Sequence, residues 1–123
     1  MVWYPSVEDV IKANKRAVRV DRHPHKLRRS VEAIQSLIDS IKDSEPKGFT
    51  YQSARFMKQL TVLHAFDGGN HRTAYSIANL FLIENGVEVR AVSPSLSYAF
   101  VKGITSKTIS EIQQWMEQYM IQT

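Results

Sequence analysis

The chain contains no cysteine, which removes disulfides, thiolate metal ligands and thiol nucleophiles from the chemistry open to it. No apolar run approaches the roughly 18 residues that a membrane span needs. The start, Met1-Val2-Trp3-Tyr4-Pro5, lacks the basic segment and apolar stretch of a signal peptide. A cytoplasmic protein with no membrane partner is therefore expected. Repeats, low-complexity tracts and linkers are also missing, so residues 1–123 read as a single domain. Acidic residues are in modest deficit: twelve Asp+Glu stand against sixteen Lys+Arg, a net charge of +4. That excess favours anionic partners such as nucleotide phosphates, RNA or an acidic protein segment, without choosing among them.

With 43% hydrophobic and 10% aromatic residues, the chain has enough apolar surface to build a core, which argues against disorder. Ser6-Val7-Glu8-Asp9 has capping-box form and opens a first helix from Val7 to about Lys15–Arg16, with Val7, Val10, Ile11 and Asn14 at helical spacing. Ala17-Val18-Arg19-Val20-Asp21 alternates apolar and polar residues, the pattern of a short extended segment. A basic stretch, Arg22 to Arg29, follows around Pro24. The next helix is expected to carry Leu27, Val31, Ile34, Leu37, Ile38 and Ile41 and to stop at Glu45-Pro46-Lys47-Gly48. Another runs from about Tyr51 to His64.

Residues 70–85 are apolar around most of a helix, which places them in the middle of a bundle, with Gly86 as C-terminal cap. Val87–Ala91 has the pattern of a brief strand. Pro94 opens a short helix to about Lys102, and Thr108-x-x-Glu111 opens the last. The expected fold is a compact all-α bundle of five to six helices. Trp3, Phe56, Trp115 and Tyr119 read as core or interface packing.

One dense cluster remains, His64-Ala65-Phe66-Asp67-Gly68-Gly69-Asn70-His71-Arg72-Thr73, between two helices. Two glycines at a helix entrance allow consecutive N–H groups to point into one concavity. The helix that follows adds its own N-terminal N–H groups and dipole. Arg72 can fork onto phosphate oxygens. Its charge opposes the helix dipole at that end, a placement that suits an external anion. His64 suits a general base, since a histidine side chain can take and return a proton near neutral pH. Base, anion nest and phosphate clamp within ten residues are what group transfer from a nucleotide to a hydroxyl requires.

This cluster resembles the signature of the Fic/Doc family, His-x-Phe-x-(Asp/Glu)-(Gly/Ala)-Asn-(Gly/Lys)-Arg. Here it reads His64-x-Phe66-x-Gly68-Gly69-Asn70-His71-Arg72. Thr73-Ala74, the buried helix ending Leu80-Phe81-Leu82-x-x-Asn85-Gly86-Val87 and the chain length are similar to the death-on-curing branch. The resemblance implies a protein-modifying phosphotransferase or nucleotidyltransferase acting on a target-protein hydroxyl. A nucleoside triphosphate, ATP foremost, would be its co-substrate. It also implies the toxin role of a toxin–antitoxin pair, a target in the translation machinery and restraint by a separate antitoxin. His64 would be the base, Phe66 the loop anchor, and Gly68, Gly69, Asn70, His71 and Arg72 the phosphate-binding set.

The family's peptide-aligning flap would correspond to the extended segment around Val18–Asp21. Gly68 stands where the family has the acid that holds Mg²⁺, which leaves Asp67, one position early, as the metal-side carboxylate. His71 stands where the family has Gly or Lys, and Tyr75 replaces a second arginine. Other readings of the same residues are a degenerate nucleotide- or protein-binding domain, a His64–Asp67–His71 metal site, and a small nucleic-acid-binding helical protein. Nucleic acid is not an expected partner, since no helix-turn-helix or aromatic-stacking signature accompanies the basic stretch.

Overall fold

The computed structural model describes residues 1–21 and 25–122, with the side chains of Val20 and Asp21 outside the description. Six α-helices are present among the described residues: α1 (Val7–Asp21), α2 (Val31–Lys42), α3 (Phe49–Leu63), α4 (Asn70–Glu84), α5 (Pro94–Lys102) and α6 (Ile109–Trp115). Short 3₁₀ turns sit at Glu45–Lys47 and Ile104–Ser106, and α6 passes into a π-helical turn at Met116–Met120. The all-α expectation holds. None of these helices is long and apolar enough to cross a membrane.

The core is organised around α3 and α4, which pack on one another more extensively than any other pair. Ala54, Ala74 and Ala78 are fully buried, and small side chains allow two helices to approach closely. Ser53 uses that closeness: its Oγ donates to the Ala78 carbonyl at 2.8 Å, so the buried hydroxyl is satisfied. Lower in the bundle Phe81 fills the space between them, its ring 5.3 Å from that of Phe56 and 6.0 Å from that of Phe49. α1 covers another side of α4, while α2 and α6 flank α3.

Local signals place the ends. Ser30 caps α2 by accepting from the Ala33 N–H, and Thr108 and Glu111 cap α6 reciprocally. Gly86, at φ +80°, closes α4. Its N–H donates to Ile83 O at 3.0 Å and that of Val87 to Leu82 O at 3.0 Å, a paired arrangement that absorbs two carbonyls at the helix end.

Five expectations need correction. The first helix does not stop at Lys15–Arg16, because Ala17 and Val18 continue the buried row of Val10, Ala13 and Asn14. The segment 18–21, expected to be the extended flap, is therefore the last turn of α1. Five alternating residues also fit the end of an amphipathic helix whose apolar row recurs every three or four positions. Leu27 lies outside α2, in an isolated antiparallel bridge with Phe66. Of the strand expected at 87–91 only a bridge between Val89 and Ile121 forms, too little pairing for a strand. Tyr119, expected inside, is 37% exposed. Residues 22–24 of the basic stretch lie outside the described residues.

Candidate functional site

The site begins where α3 ends. His64 caps α3 with a left-handed backbone (φ +52°), its N–H donating to Thr61 O at 3.2 Å. It is the one non-glycine residue with positive φ among those described. Such a conformation costs about 1–2 kcal/mol for a side chain with a Cβ, and it turns the chain sharply so that Ala65 and Phe66 are driven into the core, each 1% exposed.

Residues 26–28 run beside this turn, with Leu27 bridged to Phe66. Arg28 N–H donates to Ala65 O at 2.7 Å and Asp67 N–H to Lys26 O at 3.0 Å. The segment running alongside the motif is thus 26–28, downstream of the one expected.

Asn70 closes the loop from within. Its Oδ1 accepts from Phe66 N–H at 3.2 Å and its Nδ2 donates to Phe66 O at 2.8 Å. The same Nδ2 lies 3.3 Å from His64 Nδ1. Gly69, at φ +72°, precedes α4, and its carbonyl accepts from both Thr73 N–H (2.9 Å) and Thr73 Oγ1 (2.7 Å). A Cβ there would meet Ala17 Cβ at 3.1 Å, Val18 Cγ1 at 3.2 Å and Asn14 Nδ2 at 3.3 Å. Both the backbone conformation and the tight contact with α1 therefore favour glycine.

Three depressions surround this loop. Gly69, Asn70, His71 and Arg72 border a cavity of 360 Å³ with Tyr98, Val101 and Lys102. A cavity of 370 Å³, more apolar, shares Arg72, Tyr98 and Val101 with it and continues to Ala13, Ala17 and Tyr75. Burial pushes the Tyr75 phenol upward, so it stays a neutral hydrogen-bonding group. His64 opens instead onto a depression of 270 Å³ with Arg28 and Arg29.

The structure thus brings together Gly69, Asn70, His71 and Arg72, while His64, Asp67 and Gly68 do not border their cavity. Asn70 joins the two regions, bordering that cavity while its side chain reaches His64. Lys102 and Tyr98 reach the site from α5, which sequence reading missed because their proximity is wholly tertiary. Asn14 was visible as the polar member of an otherwise apolar helical row, yet its role is not legible there.

The residues present do not fit a protein-held Mg²⁺ in the Gly69–Arg72 cavity. Position 68 offers no carboxylate. Asp67 Oδ1 is 3.5 Å from Arg28 Nε, on the His64 side. The described residues hold no cluster of three His, Asp or Glu that would coordinate a metal, so the His64–Asp67–His71 grouping does not form one.

A search of curated proteins returns no match. The family model described as Fic/DOC matches residues 6–82, from the cap of α1 through most of α4 with the whole His64–Arg72 loop inside it. That match covers more than half of the chain, and the loop, its buried anchor and the helix entrance all lie within it: the chain belongs to the Fic/DOC family.

Proposed function

We propose that this protein transfers a phosphoryl group from a nucleoside triphosphate to a hydroxyl of another protein, as a toxin of the death-on-curing kind held in check by a separate antitoxin. The observation that carries this reading is the cavity bordered by Gly69, Asn70, His71, Arg72 and Lys102. Helix-entrance N–H groups and cationic side chains converge there on a space suited to phosphates. The adjoining apolar cavity, with Tyr75 and Tyr98, suits a nucleoside.

In the reaction the target hydroxyl oxygen bonds to the γ-phosphorus, the bond from that phosphorus to the bridging oxygen breaks, and the nucleoside diphosphate leaves. The hydroxyl proton passes to His64. Arg72 and the Gly69–Asn70 amides hold the phosphate chain. Lys102 adds charge, as does His71 when protonated, and this favours presentation of the terminal phosphate over the α-phosphate. No step is routed through a metal, since the loop supplies no carboxylate to the phosphate cavity.

The arginines beside His64, Arg28 and Arg29, suit an acidic segment of a target or antitoxin. A component of the translation machinery is the target class we favour, on family grounds.

The test is labelling of host proteins by ATP carrying its label at the γ- or the α-phosphate. Labelling from the γ-position alone, lost in His64→Ala, supports phosphoryl transfer. Labelling from the α-position replaces it with nucleotidyl transfer. No labelling, together with retained ATP binding, favours a non-catalytic binding domain. Growth arrest on expression, relieved by the product of an adjacent gene, tests the toxin role.

A further inference from the structure

Asn14 lies fifty positions before the His64–Arg72 loop in sequence, yet it is fully buried and every polar atom of its side chain points at that loop or its neighbour. Nδ2 donates to Gly68 O at 2.8 Å and to Thr73 Oγ1 at 3.2 Å. Oδ1 faces His25 Nδ1 at 2.8 Å. Both amide hydrogens are thereby committed, so Oδ1 is an acceptor and His25 Nδ1 must carry the proton. The Thr73 hydroxyl passes its own hydrogen to Gly69 O at 2.7 Å. His25 is in turn packed on the anchor of the loop, its ring 5.5 Å from that of Phe66.

The direction of this chain has a geometric consequence. A trans peptide is planar, with its C=O and N–H on opposite sides. Pulling Gly68 O toward α1 therefore turns Gly69 N–H away from α1. Pulling Gly69 O toward Thr73 likewise aims Asn70 N–H out of the helix entrance. Gly69 and Asn70 are the residues that border the 360 Å³ cavity.

We infer that Asn14, oriented by His25, is a positioning residue: it fixes the rotation of the Gly68–Gly69 peptide so that the Gly69 amide presents to phosphate. This rests on the proposed phosphate role of that cavity. The burial of Asn14 supports it, since an amide taken out of water on α1 is stable only while all its hydrogen bonds are made. An apolar residue would pack in the row of Val10, Ala13, Ala17 and Val18 without that requirement.

Asn14→Asp is the sharpest variant, because it keeps shape and the acceptor toward His25 but removes the donor to Gly68 O. Inorganic pyrophosphate serves as probe, read by calorimetry and by amide NMR shifts of Gly69 and Asn70. Ser53→Ala, which loses a buried hydrogen bond far from the loop, is the stability control. Wild type and Ser53→Ala should bind alike and shift both amides, while Asn14→Asp binds about tenfold or more weakly, the loss of one satisfied buried donor.

Equal binding by folded Asn14→Asp overturns the inference. Should Asn14→Asp fail to fold, His25→Leu and His25→Gln decide: weaker binding in the first, restored in the second, supports the clamp, and equal binding in both overturns it. If wild type binds no pyrophosphate, the phosphate reading fails and hydrogen exchange judges the clamp alone. Faster exchange confined to residues 68–70 in Asn14→Asp upholds it; unchanged exchange there rejects it.

Discussion

His64 Nδ1 lies 3.3 Å from Asn70 Nδ2, and that amide cannot rotate, because Phe66 holds its oxygen by N–H and its nitrogen by C=O. The nitrogen of His64 that faces a donor must be the one bearing the lone pair, so the neutral ring carries its proton on Nε2. The motif asparagine thus selects the tautomer of the candidate base. In the proposed reaction the target hydroxyl replaces Asn70 as the donor to Nδ1, a replacement eased by the length of the existing contact.

Nitrogen NMR of the neutral His64 ring should therefore show the Nε2–H tautomer. Asn70→Asp, which offers an acceptor instead of a donor, should shift the population to Nδ1–H. A wild-type ring found mainly as Nδ1–H defeats the assignment.

Removing the base should separate chemistry from binding. His64 is exposed and buries little, so His64→Ala should leave the fold and nucleotide affinity near wild type while transfer falls about 10²-fold or more. Unchanged toxicity and labelling in that variant take His64 out of the mechanism. Full loss of nucleotide binding would assign it to the phosphate site instead.

Gly69 is constrained twice over. Gly69→Ala places a Cβ at φ +72° and 3.1 Å from Ala17 Cβ, which should destabilise the protein by about 1–3 kcal/mol. Denaturant unfolding measures it, and a change under about 0.5 kcal/mol shows that the loop relaxes away from α1.

The metal question turns on position 68, which is not among the left-handed glycines, so an aspartate there meets no backbone penalty. Gly68→Asp should make nucleotide binding more dependent on Mg²⁺ than in wild type. If wild type already requires Mg²⁺ and loses that requirement in Asp67→Ala, Asp67 leaves Arg28 for the metal and our reading of its pairing is wrong.

A pH dependence follows from His25. Its pKa is lowered from 6.5, first by burial and second by the Lys15 charge. Below 6.5 the unfolded chain therefore takes up the proton more readily than the folded one, and acid draws the protein toward unfolding. This contribution is absent above 6.5 and grows as pH falls through that value toward the lower folded pKa. The melting temperature of wild type should drop more steeply below pH 6.5 than that of His25→Gln. Parallel curves would remove His25 from the acid response.

What sequence alone determined were features settled over a few residues. Helix ends written in short-range chemistry, such as Thr108–Glu111 and Gly86, lie where the residues place them, because a cap bonds its own neighbours. The loop was legible for a similar reason: Asn70 makes its side-chain bonds to Phe66 and His64 within six positions of itself. The flap was misplaced at 18–21 because local alternation could not reveal that Ala17 and Val18 bury against Gly69, more than fifty residues away.

Only the tertiary structure decided what surrounds the loop: Lys102 and Tyr98 arriving from α5, Arg28 taking Asp67, and Asn14 reaching Gly68 from α1. It also separated His64 from the cavity of Gly69–Arg72, which neighbouring positions in sequence had suggested was one site. Such pairings join elements far apart along the chain, and they form only when burial of the α1, α3 and α4 apolar rows brings those elements together. A helical period states which face is inward; it carries no information about which helix that face will meet.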